Sequence, residues 1–298
     1  NKIGLPVLPF SGHFNGDFHS IYNLRNQNIN ARYNGLFGYI QADEAQNIVV
    51  ENLRIINPVF AGSYAHGGLA GWLDSGQIIR CGVEGFTLSG SESAAMKDYS
   101  YFGGLIGGAK NATIFMSYAQ GVSNLERRPF GHYQGGLVGF LENCNVQNSY
   151  AIVTFSSGNS QDGGFAGVAY NTTISHCYAI PTNSQTVYYI PGFIGDTDTS
   201  LVWCYYRYGN GISSGDGGGG YSDAGMKQQA TFLTWDFTNE TTNGTKDIWR
   251  LCVDGITYPQ LNWQYAKGDL ACPDGVSTED LESFAARWLQ ADCALSNN

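Results

Sequence analysis

Short apolar pairs bracketed by glycines recur along the chain, and their recurrence predicts the fold. The phrase Gly-Gly-Leu-X-Gly occurs three times, with one Phe variant and two weaker copies. The six copies occupy residues 34–38, 67–71, 103–107, 135–139, 163–167 and 191–195, so that successive copies begin 28 to 36 residues apart. Periods of this size are typical of stacked repeats, in which no single unit buries its own apolar face.

The apolar runs within the phrases are too short for helices. Each run has two residues and is flanked by glycine, which disfavours helix. Short apolar runs between turn residues are typical of strands. A second strand is predicted after each phrase, as in 78–81, 113–118, 146–150 and 174–178. The pattern predicts an all-β chain folded as a parallel β-solenoid (β-helix), with coils of about 28–36 residues stacked roughly 4.8 Å apart.

Polar and aromatic residues recur at fixed offsets and form predicted columns along the solenoid axis. Asn111, Asn143 and Asn171 each follow the closing glycine of a phrase by four residues. Side chains at one register stack coil on coil, so we expect an asparagine ladder with hydrogen bonds along the axis. A second column contains Tyr118, Tyr150, Tyr178 and Tyr205, each preceded by a Ser or Cys that suits a small buried position. We interpret both columns as packing features.

The phrase and its downstream Asn-Cys-Tyr signal resemble the GLUG-motif repeat, which is found mostly in secreted or surface bacterial proteins. Residues 9–24 resemble the opening coil of such proteins, and 235–237, 248–249 and 258–261 resemble the segment that closes them. The resemblance covers residues 1 to about 265. It implies a scaffold whose repeat motif has no catalytic residues of its own.

The chain changes character near residue 266, which predicts two parts: a β-solenoid with opening coil and end cap over 1–266, and a tail over 267–298. Ser277 and the following acidic residues precede Leu281, Phe284 and Trp288, a pattern that predicts a capped amphipathic helix over 277–290 whose three apolar residues pack inward. This tail resembles half of a dockerin-type or planctomycete-type secreted tail, but it lacks the calcium-ligand spacing of a dockerin. Cys272 and Cys293 flank the helix, and we expect a disulfide between them, which implies an oxidising compartment.

Composition and charge exclude several classes of partner. The formal net charge is −10, and a nucleic-acid-binding protein needs a basic stripe instead. No apolar run of about 18 residues exists, so no membrane span is expected. The spacing of Cys and His does not fit a zinc site. A Ca²⁺ site is an open alternative, with its candidate carboxylates at Asp196, Asp198, Asp216 and Asp223. We expect a monomer outside the cell or on its surface.

Candidate chemistry is concentrated in two longer connections, 92–100 and 124–133, and in the residues just before the glycines. Insertions in a repeat array often form the binding face. The predicted substrate-binding residues are Tyr64, Asp98, Tyr99, Tyr101, Arg128 and Tyr189. The predicted catalytic residues are His66, Glu126, Arg127, His132, Tyr133 and Asp162. His66, Tyr101, His132, Tyr133 and Asp162 are expected to cluster along one edge, within three or four coils.

These residues leave three kinds of function open: a polysaccharide-active enzyme, a carbohydrate-binding or adhesin-type protein, and a structural stalk. The enzyme could be a lyase or a hydrolase. A polysaccharide lyase would use Arg127 or Arg128 on a uronate carboxylate and His66, His132 or Tyr133 as base. A glycoside hydrolase would use two of the three carboxylates Asp98, Glu126 and Asp162. The alternatives are a carbohydrate-binding or adhesin-type surface protein without catalysis, whose tyrosines stack on sugar rings, and a purely structural stalk.

Overall fold

The computed structural model confirms the all-β parallel solenoid, with about five turns. The structure describes residues 3–28, 31–42, 47–90, 99–125, 132–156, 161–184, 189–209, 211–213, 218–238, 240–265, 269, 278–279, 281–282 and 284–285. Two compact units divide the chain, the first ending at Met226 and the second beginning at Lys227. The division falls shortly before residue 235, where the resemblance to the closing segment of GLUG proteins begins. The predicted boundary at 266/267 stays a prediction.

The first twelve strands form the earlier coils. They are β1 His13–Tyr22, β2 Arg25–Asn26, β3 Tyr33–Asn34, β4 Phe37–Gln41, β5 Val49–Ile56, β6 Val59–Gly62, β7 Ala65–His66, β8 Ala70–Gly90, β9 Ser100–Gly103, β10 Ile106–Phe115, β11 Tyr118–Asn124 and β12 His132–Gly135. The long strands β8 and β10 continue round a corner of the coil, so each pairs with several shorter strands in its neighbours.

The later coils and the second unit contain the other elements. The strands are β13 Val138–Glu142, β14 Asn145–Gln147, β15 Tyr150–Phe155, β16 Ala166–Tyr170, β17 Thr173–Ser175, β18 Tyr178–Asn183, β19 Ile190–Pro191, β20 Ile194–Thr197, β21 Ser200–Val202, β22 Tyr205–Arg207, β23 Ile212–Ser213, β24 Gly219–Tyr221, β25 Trp249–Arg250 and β26 Gln260–Leu261. Three 3-10 helices span Gly225–Lys227, Gln229–Thr231 and Asn262–Gln264.

Equivalent strands of successive coils pair in parallel and in register. Ile106 pairs with Val138, Val138 with Ala166, and Ala166 with Ile194. Most strands belong to one 18-stranded sheet, while β3, β7, β9 and β12 form a separate four-stranded sheet just before the phrases. In the part of the chain that the structure describes, no helix is long and apolar enough to cross a membrane.

The second glycine of each phrase lies where a side chain would meet the next coil. A Cβ at Gly104 would lie 2.5 Å from the carbonyl oxygen of Gly136, and one at Gly136 would lie 2.2 Å from that of Gly164. None of these glycines has φ in the left-handed region, so close approach rather than φ requires glycine. Between the glycines, the apolar residues of the phrase enter the core, as Leu105 and Leu137 do.

The predicted columns are confirmed. Asn143 Nδ2 donates to Asn111 Oδ1 at 3.2 Å, and Asn171 Nδ2 donates to Asn143 Oδ1 at 2.7 Å. All three asparagines have positive φ, which Asn tolerates better than most residues. The rings of Tyr118 and Tyr150 are stacked with centroids 5.1 Å apart, and the next pair in the column repeats this geometry at 5.0 Å.

The cysteines differ between the two units. Cys81, Cys144, Cys177 and Cys204 are free and buried in the solenoid, and for Cys177 and Cys204 this confirms the small buried position predicted before the tyrosine column. Cys252, in the second unit, is disulfide-bonded. Because the other four are free, its candidate partners are Cys272 and Cys293, which lie outside the described residues; a bonded Cys252 is therefore not compatible with the predicted bridge between those two.

The second unit has an aromatic core and a buried ion pair. The rings of Trp235 and Trp249, both buried, lie 4.4 Å apart. Arg250 Nη2 lies 3.1 Å from Asp269 Oδ1, and both side chains are buried. In the tail, the described residues of 278–285 are helical, as expected. The prediction that Leu281 and Phe284 pack inward is wrong, because they are 66% and 55% exposed. Trp288 lies outside the described residues.

Candidate functional site

The closing glycine of each phrase brings two strands into direct backbone contact. A Cβ at Gly107 would lie 2.3 Å from the backbone nitrogen of His66, and one at Gly139 would lie 2.4 Å from that of Phe102. The strand that follows each phrase therefore packs without intervening side chains against the small sheet of β3, β7, β9 and β12. Outward-facing residues of the two sheets are brought side by side.

A cluster of aromatic rings lies at this junction, separate from the solenoid core. Trp72 and Phe140 are buried at its centre, together with Ala65 and Val168. Six half-buried tyrosines pack around them: Tyr33, Tyr39, Tyr64, Tyr101, Tyr133 and Tyr170. We call these six tyrosines with Trp72 and Phe140 the tyrosine surface. It extends from β3 in the first coil to β16.

From Tyr33 to Tyr133, the rings of the tyrosine surface contact one another from coil to coil. Tyr33 lies 5.4 Å from Tyr64, and Tyr64 lies 5.6 Å from Tyr101, both edge to face. Tyr101 is stacked on Tyr133 at 5.7 Å and also lies 4.9 Å from Phe140. These distances fall within the range in which aromatic pairs attract one another beyond simple burial. The surface is therefore a connected array whose rings hold each other in place.

Few charged groups border the rings. The guanidinium of Arg32 lies 5.0 Å from the Tyr64 ring centroid. Lys110 lies 5.9 Å from the Phe140 centroid and forms an ion pair with Glu142 at 2.7 Å. At the far end, Tyr170 Oη donates to Asp196 Oδ2 at 2.9 Å. The centre of the surface thus offers ring faces and phenol hydroxyls rather than net charge.

The tyrosine hydroxyls stay protonated well above neutral pH. Burial, together with the Asp74 carboxylate, raises the pKa of Tyr39 to about 12. Burial and the hydrogen bond to Asp196 raise the pKa of Tyr170 to about 12. Burial also raises the pKa of Tyr33, Tyr101 and Tyr133. At neutral pH the surface therefore carries neutral phenols, which can donate and accept hydrogen bonds, except that Tyr170 already donates to Asp196.

The same pKa values predict how stability depends on alkaline pH. Because the folded pKa values lie above the unfolded value of about 10, the unfolded chain loses protons first as the pH rises. Their contribution to stability is complete below pH 10 and is lost between about pH 10 and about pH 12. We expect the denaturant midpoint to fall less over this window in Tyr39→Phe than in wild type.

Tyr22→Phe is the matched control, because Tyr22 is exposed and lies outside the cluster. It should follow the wild-type curve, and tyrosinate absorbance recorded alongside would show when each protein ionises. Identical curves for Tyr39→Phe and wild type would contradict the raised pKa of Tyr39 in the folded protein.

The structure brings together only some of the predicted site residues. Tyr64, Tyr101 and Tyr133 belong to the tyrosine surface, and the exposed ring of Tyr99 lies 5.7 Å from Tyr133. Tyr189 is exposed just before β19. The predicted residues Asp98, Glu126, Arg127 and Arg128 lie outside the described residues.

His66, His132 and Asp162 are buried, so they do not face the outside of the coils as a catalytic role at the edge would require. His66 Nε2 lies 3.0 Å from the backbone nitrogen of Tyr64, and both histidine rings pack on Phe102, at 5.2 and 5.0 Å. Asp162 accepts hydrogen bonds from Gln134, at 3.1 Å from its backbone nitrogen and 2.7 Å from Nε2. Successive residues of a strand face opposite sides, so His132 points inward beside Tyr133, and His66 points inward beside Ala65, the residue that pairs with Tyr101.

Tyr39, Trp72 and Phe140 belong to the site but are not among the residues that the sequence pattern predicted for it. Each directly follows the closing glycine of its phrase, and this offset was the available signal. The equivalent residue between Trp72 and Phe140 is Gly108, where a Cβ would lie 2.4 Å from the Trp72 ring. Gly108 therefore lets the Trp72 ring lie across a coil and stack with Phe140 at 5.8 Å.

The carboxylates proposed for Ca²⁺ have protein partners where the structure describes them. Asp196 accepts from Tyr170, Asp198 accepts from the backbone nitrogen of Asn171 at 2.7 Å, and Asp223 lies 3.8 Å from Arg207. Asp216 lies outside the described residues. Within the described part of the chain, no group of three or more His, Cys, Asp or Glu side chains is arranged to hold a metal ion.

Comparison with known proteins identifies the fold and no family. No protein-family description and no curated protein matches the chain, so the GLUG resemblance stays an interpretation of the sequence. A solved structure from Bacteroides ovatus, named a "putative immunoglobulin A1 protease", matches 87% of this chain and 80% of its own. Its TM-score is 0.52 at 15% identity, a likeness that shows the fold alone.

Proposed function

We propose that this chain is a carbohydrate-binding β-solenoid of the cell exterior, and that the tyrosine surface is its binding face. The observation that carries the proposal is the unbroken row of half-buried tyrosine rings across successive coils. The repeat resemblance to GLUG proteins, which are mostly secreted or on the surface, supports the location.

Tyrosine rings suit a glycan on physical grounds. The ring face packs against the apolar C–H face of a sugar, while the phenol hydroxyl bonds to sugar hydroxyls. Half-burial holds each ring in one orientation, so little conformational entropy is lost on binding. Rings separated by about one coil spacing offer repeated contacts to a chain of repeated units.

Binding is better supported than turnover. A general base must come within hydrogen-bond reach of the proton that it removes from the substrate. His66, His132 and Asp162 are buried, so none of them is exposed to a ligand on the tyrosine surface. Tyr133 is the remaining described catalytic candidate at the surface. Burial raises the pKa of its hydroxyl, so at neutral pH less of it is ionised to the phenolate that could act as a base.

Tyr101→Ala tests the proposal. Tyr101 contacts Tyr64, Trp72, Tyr133 and Phe140, so its removal interrupts the row at the centre. We expect affinity for a glycan identified on an array to fall roughly tenfold, which corresponds to about 1.4 kcal/mol. Titration calorimetry with the purified glycan would measure this.

The controls separate binding from folding. Tyr22→Ala removes an exposed tyrosine outside the cluster and should bind as wild type does. Tyr133→Ala, at a less buried ring of the row, should also weaken binding and guards against an effect of Tyr101 on folding. Wild-type affinity in both Tyr101→Ala and Tyr133→Ala would overturn the proposal, and release of unsaturated or hydrolysed products would favour an enzyme instead.

A further inference from the structure

Two columns of residues cross the tyrosine surface on the strands that follow the glycine phrases. The first column runs, one residue per coil, through Tyr39, Trp72, Gly108, Phe140, Val168 and Asp196. The second column lies two residues further along each strand and contains Gln41, Asp74, Lys110, Glu142 and Tyr170. Alternate residues of a strand share a face, so the second column borders the rings. Its charges therefore act on any ligand that lies along the surface.

The two cations described beside the rings are already engaged by the protein. Lys110 forms an ion pair with Glu142 at 2.7 Å, and Asp74 is its neighbour in the column on the other side. One ammonium group therefore lies between two carboxylates. The guanidinium of Arg32 lies 5.0 Å from the Tyr64 ring centroid, and Arg32 has a further interaction within the chain. Neither cation is available to an anionic group of a ligand.

Carboxylates border the rings toward both ends of the surface. In the early coils, burial and then the Asp74 carboxylate raise the pKa of Tyr39 to about 12, which places the charge of Asp74 beside this ring. In the later coils, Asp196 is exposed and accepts a hydrogen bond from Tyr170 Oη at 2.9 Å. Burial is the main cause of the raised pKa of Tyr133, and the charge of Asp196 adds to it. The potential along the rings is therefore negative toward both ends.

We propose that the tyrosine surface is selective for uncharged oligosaccharides and rejects glycans that carry carboxylate or sulfate groups. This inference rests on the carbohydrate-binding function proposed above and names its ligand class. An ionised carboxylate accepts hydrogen bonds and donates none, so Asp74 and Asp196 suit sugar hydroxyls and not a second anion. The same two groups attract a neutral sugar and repel an acidic one, and specificity commonly combines both effects.

The spacing of the two carboxylates extends the repulsion over the surface. Asp74 and Asp196 lie in coils four spacings apart, roughly 19 Å at about 4.8 Å per coil. A point midway between them is roughly 10 Å from each, which is about the Debye length at 0.1 M salt. An acidic glycan therefore meets one of the two charges wherever it lies between them, and in either direction.

The test begins with an array of neutral and acidic glycans, which identifies what the wild-type protein binds. The neutral binder is then compared with two analogues that differ at one sugar: the uronate obtained by oxidation of that hexose, and the methyl ester of the uronate. We expect the uronate to bind about threefold more weakly than the hexose, as for one exposed charge pair, and the uncharged ester to bind as the hexose does. In about 1 M salt the Debye length falls to roughly 3 Å, and the uronate should then bind as the hexose does.

Two substitutions assign the discrimination to the carboxylates. Asp74→Asn and Asp196→Asn each remove one charge and keep an acceptor oxygen, so each should bring the ratio of uronate to hexose affinity closer to one. The double variant should bring the ratio to one. Asp17→Asn is the matched control, because Asp17 is exposed in β1, lies outside the tyrosine surface and has a positive φ that Asn tolerates. It changes the net charge equally and should keep the wild-type ratio.

The outcomes separate this inference from the function on which it rests. Wild-type affinity for the uronate equal to or higher than for the hexose, or an array on which only acidic glycans bind, would overturn the selectivity and leave the binding function standing. A wild-type ratio in both Asp74→Asn and Asp196→Asn would also overturn it. If the wild-type protein binds no glycan on the array, the carbohydrate-binding function fails and the selectivity with it.

Discussion

Gly136→Ala is expected to lower the stability of the first unit by about 2–3 kcal/mol, a large effect for one methyl group. The new Cβ would lie 2.2 Å from the carbonyl oxygen of Gly164, 2.8 Å from Ala151 Cβ and 2.9 Å from Val153 Cγ1. Real Cβ atoms do not approach a backbone oxygen so closely, so the coils must separate locally. Inserting atoms into a well-packed region typically costs 1–3 kcal/mol.

The separation would also strain backbone hydrogen bonds on both sides of Gly136. Its nitrogen donates to the carbonyl oxygen of Gly163 at 3.3 Å, and its own carbonyl oxygen accepts from Gly104 at 3.1 Å. The strain is therefore transmitted to the coils before and after. Chemical denaturation followed by circular dichroism would measure the loss.

Gly209→Ala is the matched control for this substitution. Nothing lies within 4 Å of an added Cβ at Gly209, and its φ lies outside the left-handed region. The same change there should leave stability within about 0.5 kcal/mol, since surface substitutions without strain usually do. Equal stability of the Gly136→Ala and Gly209→Ala variants would show that the coils are not packed as described.

Arg250→Met is expected to destabilise the second unit by about 3–5 kcal/mol, the usual result of removing one partner of a buried ion pair. Arg250 Nη2 lies 3.1 Å from Asp269 Oδ1, a second nitrogen of the guanidinium donates to the Asp269 carbonyl, and the guanidinium lies 4.3 Å from the Tyr265 ring centroid. The substitution leaves the Asp269 carboxylate buried without its cation. Thermal unfolding followed by tryptophan fluorescence suits this unit, because Trp235 and Trp249 are in its core.

Two further variants separate charge from packing. Lys246→Met removes an exposed cation of the same unit and should change stability by less than about 0.5 kcal/mol. The double variant Arg250→Met/Asp269→Leu removes both charges and should recover much of the loss, because an apolar pair can replace a buried ion pair. If Arg250→Met alone were as stable as wild type, the assignment of a buried Arg250–Asp269 ion pair would be contradicted.

The sequence by itself determined the architecture. The period of the glycine phrase predicted stacked parallel coils, and the constant offsets of Asn111, Asn143 and Asn171 predicted a hydrogen-bonded column. These predictions succeeded because in-register stacking maps equal offsets onto equal positions, so a one-dimensional spacing becomes a three-dimensional contact. The need for glycine at Gly136 followed from the same repetition.

Only the tertiary structure decided which side chains of the predicted edge face outward. His66, His132 and Tyr133 lie within three residues of a phrase, and sequence distance alone placed them together. The strand pleat and the close contact at the closing glycines turned the histidines inward and brought Tyr39 and Trp72 beside the other tyrosines. Outward direction and contact between separate sheets depend on backbone geometry around a corner of the coil, which the spacing of residues does not record.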